Sequence, residues 1–164
     1  MSKTTNEKKY VLAGVVLPFN TKSQTGRVYT RESISEEVFS NFVERVKNGG
    51  VAGVLEQRHS LVDGAAPLQE ISHKVVDAQI TDAGVRAEIE VLDTPKGKLV
   101  KTILDNGMAL WGASRAIGSV EPDGRTRLDQ VISFDLTGCP SFDPNQVMPL
   151  SLNGQTPDEY AVQK

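Results

Sequence analysis

Two histidines, His59 and His73, are all the imidazole this chain of 164 residues has to offer. Any proton transfer near neutral pH therefore falls to one of them or to a carboxylate with a displaced pKa. His59 follows the short apolar run 51–56 and precedes a turn-rich stretch, 60–67, so it belongs at a strand end beside a loop. Glu56 and His59, three apart, have the spacing of a metal pair. Zinc asks for three or four ligands, however, and the single cysteine, Cys139, and the lack of a further histidine leave the pair without support. Neither a metal nor another cofactor is expected.

A serine nucleophile needs fewer parts. Residues 107–120, GMALWGASRAIGSV, set a hydroxyl and a guanidinium among small and apolar residues. Ala109, Trp111 and Ala113 alternate with Leu110, Gly112 and Ser114 in the manner of a half-buried strand. His59 would take the proton of a hydroxyl on this strand and Asp135 would orient the imidazole. Backbone N–H groups after the nucleophile, with Arg115, would hold the oxyanion. The plainer reading of the same stretch is a tight sheet edge. For His73 it is a hydrogen-bonded histidine inside a strand, for Asp135 a cap or turn partner of the Gly138 region, and for Cys139 a small core residue.

These residues need a sheet to bring them together. Residues 10–17 (YVLAGVVL) read as a covered, central strand, and 18–27 as a long loop before the brief Val28-Tyr29. Ser33 with Glu36 reads as a capping box opening a helix on Ile34, Val38, Phe42 and Val46, closed by Asn48-Gly49-Gly50. Strands over 71–80 and 85–91 flank Thr81-Asp82-Ala83-Gly84, a hairpin signal. Thr94-Pro95 starts a second helix on Leu99, Val100, Ile103 and Leu104. The strand over 128–137 returns after Glu121-Pro122-Asp123-Gly124 and carries Asp135. The sum is an α+β domain, a mostly antiparallel curved sheet or small barrel with two main helices. Residues 1–9 read as a disordered lead-in, 10–145 as the domain, and 146–164 as a flexible tail.

Composition sets the surroundings. One domain of this length buries about two thirds of its unfolded surface without needing staples. The formal charge of −3, with basic and acidic residues interspersed, offers no stripe for nucleic acid or an anionic membrane. No apolar run approaches the length of a membrane span. The chain reads as soluble and made in a cytoplasm.

The order of these motifs resembles the prohead proteases of tailed bacteriophages, related in fold to the herpesvirus assemblins, over roughly residues 11–145. Gly26-Arg27-Val28-Tyr29 matches the end of the family's N-x-N-G-R-x-Y-P loop, with Thr30 in place of proline. The segment GVLEQRHS at 53–60 matches the histidine motif G-E-L-x-H-P in keeping Glu56 three residues before His59, and again lacks the proline. Thr94-Pro95-Lys96-Gly97 matches T-P-x-G, and Phe134-Asp135 with Pro140-Ser141 matches V-D-x-x-x-x-P-S. Against the family's G-x-S-S-R-(G/A)-x-G-S-V this chain reads Trp111-Gly112-Ala113-Ser114-Arg115-Ala116-Ile117-Gly118-Ser119-Val120, so one of two adjacent serines is alanine here.

The resemblance implies an assemblin-like serine endopeptidase that cleaves scaffold and major capsid proteins and itself, inside the prohead in the host cytoplasm, and that can form a homo-oligomer. His59 is then the base and Asp135 the orienter, with His73, as in the herpesvirus enzymes, or Glu56 as the alternative third member; Glu56 and Arg115 otherwise give support. If the first serine of the pair is the nucleophile, Ala113 marks an inactive form; if the second, Ser114 is intact. Adjacent strand residues point to opposite faces, so only one of them can face His59. The alternative is a non-catalytic capsid- or scaffold-associated protein that keeps the fold.

Overall fold

A computed structural model describes residues 9–56 and 67–154. Among these, seven strands and two α-helices follow in the order β1 (Tyr10–Pro18), α1 (Glu36–Lys47), β2 (Val51–Val54), β3 (Ile71–Thr81), β4 (Gly84–Val91), α2 (Pro95–Asp105), β5 (Trp111–Val120), β6 (Thr126–Thr137) and β7 (Ser151–Leu152). Five strands form a sheet in the order β2-β3-β4-β1-β7, and β5 and β6 form a separate antiparallel hairpin. This is the expected α+β architecture, mostly antiparallel sheets with two helices.

The alternation legible in 71–91 builds the β3/β4 hairpin, whose inner residues Val75, Val85, Ala87 and Ile89 are buried. β1 lies between β4 and β7, so it is central, as its apolar run requires. The β5/β6 hairpin closes over the sheet without completing a hydrogen-bonded barrel. On one side Leu55 bridges Leu136 in parallel. On the other Gly112 meets β1 so closely that a Cβ there would lie 2.4 Å from Val16 Cγ1. α1 seals the β6 side, with Phe42 edge-on to Phe134 at 5.4 Å between ring centres. Arg45, laid over the Phe42 ring, donates to the carbonyls of Val131 and Ile132, where the β5/β6 register shifts.

Thr94 caps α2 by accepting from the Gly97 N–H, with Pro95 behind it, as the sequence indicates. α1 differs. Its N-cap is Ser35, which accepts from Val38 N at 3.1 Å, while Ser33 closes a separate short 3-10 turn with Thr30. Three serines and threonines in six residues give two competing caps, and the later one opens the longer helix.

The flexible tail expected from 146 onward is corrected over 146–154. Leu150 and Leu152 are buried, Leu150 N donates to Leu110 O at 2.9 Å, and β7 pairs with Leu12 and Ala13 of β1. A strand of two residues is too short to show a period, which is why composition alone reads as tail. Residues 155–164 lie outside the described residues, as does the lead-in through residue 8. Cys139, expected in the core, is exposed.

Candidate functional site

Directly opposite residues of an antiparallel pair share a face, and so do residues two apart on one strand. Ala113 pairs with Asp135, Arg115 with Ser133 and Trp111 with Thr137. One face of the hairpin therefore carries Ala113, Arg115, Ser133, Asp135 and Thr137, and the other carries Gly112 and Ser114 opposite the core residues Leu136 and Phe134. The two candidate nucleophile positions are parted by the pleat, with position 113 on the face of Asp135.

That face is bound to β2 by a regular set of contacts. Ser133 Oγ donates to Ala52 O at 2.7 Å, Val54 N donates to Asp135 Oδ1 at 2.9 Å, and Thr137 Oγ1 donates to Glu56 Oε1 at 3.1 Å. Every second residue of β6 is thus tied to every second residue of the β2 segment. Asp135 is fully buried, and Arg115 neutralises it with a two-pronged contact, Nε to Oδ2 at 2.9 Å and Nη2 to Oδ1 at 3.1 Å.

Glu56 ends the described part of this segment under backbone strain. Its φ is 64°, a left-handed conformation uncommon outside glycine. Three contacts hold it there: its N–H donates to Leu136 O at 2.7 Å, and its carboxylate accepts from Thr137 Oγ1 and from Gly138 N at 2.9 Å. The cap of the Gly138 turn, one of the roles open to Asp135 from sequence, is filled by Glu56 instead. His59 and the segment 60–66 lie outside the described residues.

His73 is buried completely, between Ser72 Oγ, 2.7 Å from Nδ1, and Phe134 O, 2.8 Å from Nε2. Burial holds its pKa below the ordinary 6.5; the Phe134 carbonyl and Asp135 act against this shift and Arg115 with it. It is the hydrogen-bonded strand histidine the sequence suggests, but its far partner is a carbonyl on another strand, which no local pattern could reveal.

On the other side of β5 a cavity of about 120 Å³ is bordered by Ala113, Ser114, Ser23, Arg27, Tyr29 and Phe142. Its rim comes from the long loop after β1, pinned by Gln24 N to Ser141 O at 2.8 Å and by Val28, which bridges Arg125. A chain of small strand residues beside a polar cavity, with a buried carboxylate across the ladder, can hold an extended backbone near a reacting side chain. Among the described residues, no three His, Cys, Asp or Glu side chains gather to hold a metal ion, and no helix is long and apolar enough to cross a membrane.

No protein-family profile matches the chain, and no curated protein matches it in sequence. Its architecture is similar to that of a solved structure, the capsid assembly protease gp21 of bacteriophage T4. The TM-score is 0.64 over 85% of this chain and 88% of that one, at 15% identity. The chain has a phage prohead protease-like, assemblin-like fold.

Proposed function

We propose that this chain is a prohead-type serine endopeptidase, present as an inactive form with alanine at the nucleophile position 113, whose substrates are scaffold and capsid proteins and whose base is His59 and orienter Asp135. One observation carries the reading: Ala113 and Asp135 are cross-strand partners on one face of the hairpin. Glu56, anchored to Thr137 and Gly138 beside that face, lies three residues before His59, and three residues of extended chain span at most about 11 Å. The likeness to the T4 capsid assembly protease supports the substrate class and the place of action inside a prohead.

Alanine at 113 has no hydroxyl to attack a carbonyl, so the chain as it stands makes no acyl-enzyme there. It binds its substrates or partners through a protease fold and is silent in cleavage. A second reading starts from the intact hydroxyl of Ser114, which borders the same cavity as Ala113: there Ser114 is the nucleophile and the chain is active unaltered.

A fluorophosphonate probe tests both readings on three proteins: the given chain, Ala113→Ser, and Ala113→Ser with His59→Ala. The proposal expects labelling and self-cleavage in Ala113→Ser only. Loss of one triad member costs about 10⁴- to 10⁶-fold in turnover, so the contrast is large. Labelling of the given chain at Ser114 selects the second reading, and no labelling in any of the three leaves a non-catalytic capsid- or scaffold-associated protein.

A further inference from the structure

His73 stands outside the relay of His59, Asp135 and position 113, yet it is fully buried and both ring nitrogens are engaged. A carbonyl only accepts, so Nε2 carries the proton and donates to Phe134 O, while Nδ1 accepts from the Ser72 hydroxyl. The ring is neutral and held at both ends.

The Phe134 carbonyl belongs to the rigid peptide unit that joins Phe134 to Asp135. Holding that oxygen fixes the plane from which the Asp135 Cα departs. From the opposite direction, Val54 N and the Arg115 guanidinium hold the Asp135 carboxylate itself. The residue is thus clamped at its backbone by one element and at its side chain by two others.

The reach of His73 is unusual. It stands on β3, its cross-strand partner on β2 is Gly53, and its target is on β6, one strand further on. The ring crosses over Gly53 to get there. A Cβ at position 53 would lie 2.1 Å from His73 Nε2 and 2.7 Å from Phe134 O, so only glycine leaves the passage open. Among the described residues the backbone pairing of the β2 segment with β6 is the bridge from Leu55 to Leu136, and upstream of it the His73 ring takes the place of a rung.

We propose that His73 is a positioning residue, which sets the Asp135 carboxylate for its work by fixing the Phe134–Asp135 peptide across Gly53. The proposal rests on the reading of Asp135 as orienter. Glutamine places an Nε2 donor the same number of bonds from Cα as histidine does, and leucine places none.

In the Ala113→Ser background, His73→Leu is expected to lower kcat about 10- to 100-fold with KM little changed, the scale of an ångström-sized misplacement. His73→Gln recovers most of the loss. In the given chain, where activity plays no part, the amide proton of Val54 reports the Asp135 carboxylate directly. Its resonance should move in His73→Leu and return in His73→Gln. A Val54 resonance and a kcat both unmoved in folded His73→Leu would overturn the proposal, as would His73→Gln failing to restore them. If the leucine variant does not fold, ¹⁵N shifts of the parent imidazole decide: a proton on Nε2 supports the assignment, and a proton on Nδ1 refutes it. Absence of cleavage in Ala113→Ser defeats the protease reading alone, since the Val54 resonance still tests the positioning.

Discussion

Ala113 and Asp135 face each other across the β5/β6 ladder, and Arg115, two residues further on the same face, closes its guanidinium onto the Asp135 carboxylate. The acid proposed to orient a histidine is therefore also half of a buried ion pair.

Asp135→Asn keeps the shape and the bond from Val54 but removes the carboxylate charge that pairs with Arg115, itself only 10% exposed. Breaking a buried pair from one side costs about 3–5 kcal/mol. Urea unfolding should show a loss of that order for Asp135→Asn and a similar one for Arg115→Met, with the double variant losing much less than the sum. Strict additivity would mean that the two side chains are energetically independent despite their geometry.

Gly112→Ala adds a methyl group 2.4 Å from Val16 Cγ1 and 3.0 Å from Val16 Cα, the second of which is backbone and cannot rotate away. Overpacking of this kind costs about 1–3 kcal/mol. Thermal melting should place Gly112→Ala well below the parent, and Val16→Ala should recover only part of the loss.

Acid should weaken the fold through His73. Its folded pKa is depressed, chiefly by burial, below the 6.5 of an open imidazole. The unfolded chain takes up a proton first, so this stabilisation is complete above about pH 6.5 and is lost as pH falls from there toward the folded value. The slope of unfolding free energy in that window rises to at most about 1.4 kcal/mol per pH unit for one proton. His73→Gln should remove it, which a pair of urea series between pH 7.5 and about 5 can check against the unfolded histidine value.

Leu150→Ala should cost about 2–5 kcal/mol, the range for a buried leucine. Met148, two residues away and 76% exposed, should tolerate alanine within about 0.5 kcal/mol. Equal melting temperatures for the two variants would contradict the packing of the last strand.

The legible parts of the fold are the ones written locally. Thr94-Pro95 fixes the start of α2 within two residues, and the alternation around Asp82 fixes the β3/β4 hairpin. α1 begins two residues later than Ser33 implies because Ser35 caps as well as Ser33 does. β7 escapes notice because Leu150 and Leu152 gain their meaning from Leu110 and Leu12, some 40 and 140 residues upstream. The site shows the same division: Glu56, Arg115 and Asp135 stand out by type, but that Arg115 clasps Asp135, and that Glu56 rather than Asp135 holds Gly138, follows from tertiary contacts with no spacing to betray them.

Among the described strands β1 is made first, and its partners are β4 and β7, the latter at residues 151–152. During synthesis the strand of Leu12 and Val16 must wait until Leu152 is made before both its edges are covered. A nascent protein built this way cannot settle from its N-terminal end, and folding is dominated by distant contacts that form slowly. Chains made as far as β4 therefore leave one edge of β1 unpaired until β7 is made, and an unpaired strand edge invites aggregation.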